Sequence, residues 1–329
     1  MPIASAERAT PGPTLAYVPL PLLAVPMGLG GLGLAWRQFA AAAPWAGTWA
    51  GTIAEALMAL TVLAWIVVVG LHMARAASHP FMAREDWRHP FRGSFAGAIS
   101  IGLILVASAF IPYAPGLARD VLLVGVALQW GIGLALLARV LRGEGSAEML
   151  APPLLIPLAG NVVATIFAPR LGLPVLGWML FGIGGTLWLV LQPLMLGRLL
   201  EATPPPLLRP ALFILLAPPS LGALAIEALM GPGPFMWALY GFAAFTLALL
   251  VLSLRHMTVA GFNPGWWAFT FPLAAFTTAT LKIAPGWVGG GDAGDLHDRD
   301  RRDRAADPGR RPELLPGAVN RVRPSLPEK

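Results

Sequence analysis

The sequence predicts an all-α membrane protein built from helical hairpins, and three observations predict it. The chain of 329 residues is 56% hydrophobic and only 12% charged, against about 25% charged for an ordinary soluble domain. Its apolar residues fall in runs of about 18 to 25, the length that crosses a bilayer rather than that of a core helix. Charges, prolines and turn residues bound each run. So few charges could not cover the surfaces of the two soluble domains that the length would otherwise allow.

Nine runs can be read, at about 16–39, 50–74, 95–112, 117–141, 151–169, 172–199, 209–230, 234–257 and 264–284. The opening MPIASAERATPGPTL, residues 1–15, is polar and mixed in charge. It lacks the basic segment, short apolar core and cleavage site of a signal peptide, and reads as a flexible N-terminal arm. Residues 16–284 form the transmembrane unit. Cysteine is absent, which excludes disulfides, thiolate chemistry and cysteine-held metals.

The net charge of +6 suggests nucleic acid, but orientation explains it at less cost. Of 14 Arg and Lys between residues 1 and 284, ten fall on one side, among them Arg75, Arg84, Arg88 and Arg92. Arg37, Arg119, Arg170 and Lys282 fall on the other. Basic loops stay in the cytoplasm, so the N-terminus is expected there, in a bacterial inner membrane, with no nucleic acid as partner.

Prolines sit within odd-numbered spans at Pro26, Pro157, Pro218 and Pro272, separated by 131, 61 and 54 residues. These steps are close to two, one and one hairpins. The third span has only small residues at the matching place, GSFAGAIS, and Pro193 lies late in the sixth. A proline inside a helix frees a carbonyl and costs roughly 3 kcal/mol in water. In lipid no water relieves it, so a broken helix is tolerated where it lines a wet cavity or packs on protein. The pattern therefore predicts an inner ring of broken helices around a pore and an outer ring of smooth ones. A passive kink is the alternative for each single proline, and is weaker for the recurring set.

Several stretches together are similar to the TehA-like tellurite-resistance and C4-dicarboxylate transporter family, kin of the plant slow anion channels. They are PLLAVPMGLGGLGLAW, WRHPFRGSF, LLIPLAGNVVA, FGIGGTLWLVLQPLML, LLAPPSLGALA and NPGWWAFTFPLAAFTTAT, in that order over about residues 16–284. The resemblance implies ten helices in five hairpins, the odd ones around a central pore, and a trimer of such subunits. It also implies a pore for anions blocked by a phenylalanine of the ninth helix, here Phe271. A bulky ring in an apolar constriction closes a pore by excluding water; a plain packing aromatic is the alternative.

Two departures stand out. Gln192 stands where relatives often carry glutamate. After Ala284 the chain continues for 45 residues with nine basic and eight acidic groups and no tenth apolar span. Residues 285–329 read as a disordered charged tail, or as the product of a frameshift that replaced a last helix.

Other motifs carry less. Gly28, Gly30 and Gly33 match GxGxxG, but inside a membrane span and with no preceding strand they serve close helix approach, not a dinucleotide. The five histidines are scattered without carboxylates at ligand spacing, so neither metal nor cofactor is expected, and no motif points to an enzyme. Glu55, Asp120 and Glu227 lie near span ends; no midplane carboxylate relay of the kind a proton-coupled pump needs is visible. Asn161, Ser220, Thr270, Thr277 and Thr278 are the polar candidates for the passage, with Gly28 and the four prolines at the helix breaks. The expected function is passage of small inorganic anions or C4-dicarboxylates. A proton- or cation-coupled transporter using Glu55 or Glu227, and a degenerate protein whose ring has opened, stay open as alternatives.

Overall fold

The computed structural model describes residues 15–283; the arm and the charged tail, with the frameshift expectation, fall outside them. The first hairpin pairs α1 (Ala24–Ala42) with α2 (Gly47–Ser78), and α3 (Pro80–Arg88) leads to the second, α4 (Gly97–Phe110) and α5 (Pro115–Leu141). The third pairs a broken rod, α6 (Leu155–Ala159) and α7 (Asn161–Phe167), with α8 (Pro174–Glu201). The fourth is α9 (Ala217–Met230) with α10 (Pro234–Leu252), and the short α11 (Leu254–Met257) passes to α12 (Trp267–Ile283). No strand occurs among the described residues.

Seven of the nine expected spans are single helical stretches long and apolar enough to cross a bilayer. The other two differ for visible reasons. The fifth is split at Gly160 into pieces of 5 and 7 residues. The ninth, α12, has 17 residues and is diluted by Thr270, Thr277, Thr278, Thr280 and Lys282.

Two rings result. α1, α4, α6 with α7, α9 and α12 follow one another around the inside, and α12 closes the circle against α1. The inner ring is thus complete within residues 15–283, so nothing described matches a ring opened by a missing helix. The third and seventh spans are 89% and 78% buried, whereas the spans of α2 and α10 are 17% and 22% buried. An all-apolar helix that is mostly exposed in the isolated chain is one that faces lipid.

The rings also start their helices differently. Each outer helix opens at a proline: Pro44 in the turn before α2, then Pro115, Pro174 and Pro234 at the first helical positions. There the missing N–H is one that no helix would use, and φ is already set. Every inner helix is entered through a 3-10 segment, Leu20–Leu23, Arg92–Ala96, Pro152–Leu154, Pro206–Leu216 and Pro264–Trp266, whereas among the outer helices only α2 is, through Pro44–Ala46.

The inner prolines gather near the joints where a 3-10 segment passes into α-helix. Pro26 is the third residue of α1, Pro157 the third of α6 and Pro218 the second of α9. The missing N–H thus falls where the hydrogen-bond pattern is already changing from 3-10 to α. Pro272 alone of the four lies inside its α-helix, while Pro193 interrupts α8 on the exposed outer ring. Interruption by proline therefore does not by itself mark the passage.

Candidate functional site

Close helix approach builds the centre. α1 presents Gly28 and Gly31 to α12. A Cβ at Gly31 would lie 2.9 Å from the Phe271 ring, and one at Gly28 would collide with the Thr270 hydroxyl. Only a bare backbone lets the Phe271 ring sit this deep, where it is 5% exposed. Gly30 and Gly33 serve the same end towards Leu105 of α4 and Met58 of α2.

Two cavities meet at Phe271, which lines both together with Val163 and Leu221. On one side lies a pocket of about 30 Å³ walled by Met27, Ile156, Gly160, Val163, Pro218 and Pro272, among others. Two waters would fit by volume, but every named wall is apolar, and a water needs at least two polar partners to stay. This constriction is dry. On the other side opens a vestibule of about 360 Å³.

Three cations line that vestibule: Arg37, Arg170 and Lys282. They are three of the four basic residues that stand on the sparsely charged side of the sequence. Arg37 holds both oxygens of Glu55 at 2.7 Å and donates to the carbonyls of Ser108 and Ala109, at 2.8 and 3.2 Å, which end α4. A fork-to-fork pair of this kind fixes the guanidinium in place. Tyr113 adds a hydrogen bond of 2.9 Å to Glu55. Lys282 holds both oxygens of Glu227 at 2.8 Å. Arg170 has no partner among the described residues and is exposed. Glu55 and Glu227 are not among the residues that wall the vestibule, but they neutralise Arg37 and Lys282 from behind, so the unpaired positive charge on its wall is that of Arg170. A concave, low-dielectric wall of one sign concentrates ions of the other.

The sequence-predicted residues divide in two. Phe271, Pro218 and Pro272 meet at the constriction, and Thr278 lies in the vestibule. Pro26, Gly28, Pro157, Asn161, Ser220 and Thr270 lie off both cavities. Gly28 and Thr270 form the α1–α12 seam, and the Thr270 hydroxyl donates to the carbonyl of Trp267 at 2.8 Å. The Ser220 hydroxyl likewise donates to Leu216, at 2.8 Å, within its own helix. Asn161 is 4% exposed and donates to Leu158 at 2.9 Å. Pro26 packs near Gly102 and Trp65, and Pro157 packs on Gly97. Sequence reasoning missed Arg37, Arg170 and Lys282 as a group. Their signal was present: they run against the charge bias of the other loops.

The fold and this site define a multi-pass, all-helical membrane protein with two cavities inside its inner ring. Residues 17–293 match the voltage-dependent anion channel family. The chain belongs to that family and is a TehA-like member of it. It is similar to a tellurite resistance protein TehA homolog of Haemophilus influenzae, 25% identical over 82% of this chain and 83% of that one. It is also similar to two Arabidopsis thaliana S-type anion channels. SLAH2 is 26% identical over 61% of this chain and 40% of its own length, and SLAH3 is 22% identical over 83% and 44%. The chain thus spans under half the length of these two plant relatives. Membership and these relatives support anion transport as the function.

Proposed function

We propose that the protein is a channel or uniporter for small anions, inorganic ions or C4-dicarboxylates, with Phe271 as its gate. One observation carries this reading: the buried Phe271 ring, flanked by Val163 and Leu221, stands between an apolar constriction and a vestibule lined by three basic side chains. Anions gather at Arg37, Arg170 and Lys282, and the ring withholds the water that would let them proceed. Rotation or removal of the ring joins the two cavities. Pro26, Gly28, Pro157, Asn161, Ser220 and Thr270 serve this path by shaping the ring around it. The N-terminus is placed in the cytoplasm of an inner-membrane protein by the charge bias, which puts the vestibule outside. The subunit is taken to work as a homotrimer, each copy with its own passage.

A coupled transporter using Glu55 or Glu227 is less well supported. Both carboxylates are engaged by vestibule cations and serve to hold them in place. The test is Phe271→Ala, recorded electrically in planar bilayers with chloride, nitrate and malate in turn. Current well above that of the unaltered protein is expected. Unchanged current through a folded Phe271→Ala protein removes the gate.

A further inference from the structure

We propose that Gln129, on the outer helix α5, is a positioning residue that holds the fifth span in its broken form and so sets the wall that faces the gate; this rests on the passage proposed above. Ile156 and Gly160 both line the dry constriction shared with Phe271. Their backbone is irregular: α6 ends at Ala159 and α7 begins at Asn161. Carbonyls freed at such a break find no water at this depth and need donors from protein.

Gln129 supplies them. Its amide nitrogen lies 3.0 Å from the carbonyl oxygen of Ile156 and 2.8 Å from that of Pro157. An amide has two N–H groups and here each has an acceptor, while its oxygen accepts from the hydroxyl of Ser100 on α4. That hydroxyl also lies 2.8 Å from the carbonyl of Gly97. Gln129 is 1% exposed and Ser100 is fully buried. Gln129 walls neither cavity. It acts through the backbone it holds.

The surrounding glycines show how closely the break is built around this side chain. A Cβ at Gly160 would lie 2.7 Å from the Gln129 nitrogen. One at Gly97 would lie 2.7 Å from the Pro157 backbone, and one at Gly133 would lie 3.1 Å from the Pro157 oxygen. Three elements give up their side chains where one amide meets two carbonyls. An uncharged group with two donors and an acceptor completes the network without placing a charge in low dielectric. A leucine of similar size would leave both carbonyls without a donor. The rod then gains by winding into a regular helix, which turns Ile156 and Gly160 away from the gate.

The test uses Gln129→Leu, Gln129→Glu and the milder Ser100→Ala, each in the Phe271→Ala background. One readout is chloride flux. The other is thiol labelling of Ile156→Cys, which would be the sole cysteine of the chain. Gln129→Leu is expected to lower flux severalfold and to change the labelling rate severalfold. Ser100→Ala, which frees the amide to swing, shows smaller changes in the same direction. Gln129→Glu separates positioning from mere packing. A buried carboxyl takes up a proton readily and then donates again, so flux and labelling return towards the parent as pH falls. The parent and Gln129→Leu show no such profile. Parental flux and labelling in Gln129→Leu, or a flat pH profile in Gln129→Glu, overturn the proposal. Should Gln129→Leu fail to fold, Ser100→Ala and protonated Gln129→Glu decide it. A silent Phe271→Ala parent counts against the gate, and labelling then judges Gln129 alone.

Discussion

Two inner spans and two outer ones are almost equally apolar yet are buried oppositely. The third and seventh spans each have a mean hydropathy of 1.9, and the spans of α2 and α10 have 2.3 and 2.1. Nevertheless the first two are 89% and 78% buried and the last two 17% and 22%. Hydropathy therefore reports that a segment is in the membrane, not which side of the protein it faces. What separates the rings is how the backbone starts and how close it can be approached. Three of the four outer helices, α5, α8 and α10, begin directly at a proline and run on. Inner helices are entered through 3-10 segments and carry glycines against which neighbours pack. The outer ring in turn lends polar side chains to the inner backbone: Trp65 donates to the carbonyl of Ile99 at 2.9 Å, and Gln129 to those of Ile156 and Pro157.

The sharpest way to break this contrast is to add bulk to one glycine in each ring. Gly31→Leu forces its side chain into the Phe271 ring, and overpacking of this kind costs about 1–3 kcal/mol. Gly182 on α8 has nothing within 4 Å of an added Cβ, so Gly182→Leu should stay within about 0.5 kcal/mol of the parent. Thermal unfolding in detergent with tryptophan fluorescence compares the two. Equal losses would show that the rings are not packed differently.

A smaller effect separates the vestibule cations. Glu55→Ala removes both carboxylate acceptors of Arg37 and leaves the carbonyls of Ser108 and Ala109; the Glu55 side chain is 40% exposed, so after solvent screening the loss should be about 1 kcal/mol or less. Arg170→Ala breaks no pair and should leave melting unchanged while reducing anion flux at low salt, with the difference shrinking as salt screens the field. Flux equal to the parent at every ionic strength would remove the steering role of Arg170.

The smallest effect lies in the loop between α3 and α4. The Nδ1 atom of His89 accepts from the backbone N–H groups of Phe91 and Arg92, at 3.1 and 3.2 Å. Burial, then the charge of Arg92, hold its pKa below the usual histidine value. The folded state thus binds its proton later than the unfolded one. Its contribution is complete above about pH 6.5 and declines as pH falls towards the lowered folded value. His89→Gln should flatten that small slope in the melting temperature between pH 7 and pH 5. An unchanged slope would place the dependence elsewhere.

Much of this was legible in the chain, and for physical reasons. Run length and charge bias are direct consequences of the bilayer, so hairpins and the two-ring plan could be read without coordinates. Pro272 was readable as well, because a proline in a helix interior is rare enough to carry meaning, whereas Phe271 beside it was singled out only by the family resemblance. The passage lining was not. Pro26, Pro157 and Pro218 look like interior breaks in one dimension, but the 3-10 segments before them move the true helix starts onto those prolines. That shift depends on tertiary packing, and no periodicity announces it. Gln129 was invisible for a similar reason: a lone glutamine in an apolar run gains meaning only when its partners, 27 and 28 residues away, are known.

The central claim is that the Phe271 ring, at the boundary it shares with Val163 and Leu221, keeps a reachable vestibule apart from an unreachable constriction. The chain has no cysteine, so Ala275→Cys in the vestibule and Ala217→Cys in the constriction can be labelled singly in sealed vesicles with a charged thiol reagent. The expected result is rapid reaction at Ala275→Cys, none at Ala217→Cys from the vestibule side, and reaction at both once Phe271→Ala is added. Labelling of Ala217→Cys from that side with Phe271 in place, or its continued silence in the Phe271→Ala protein, would contradict the account.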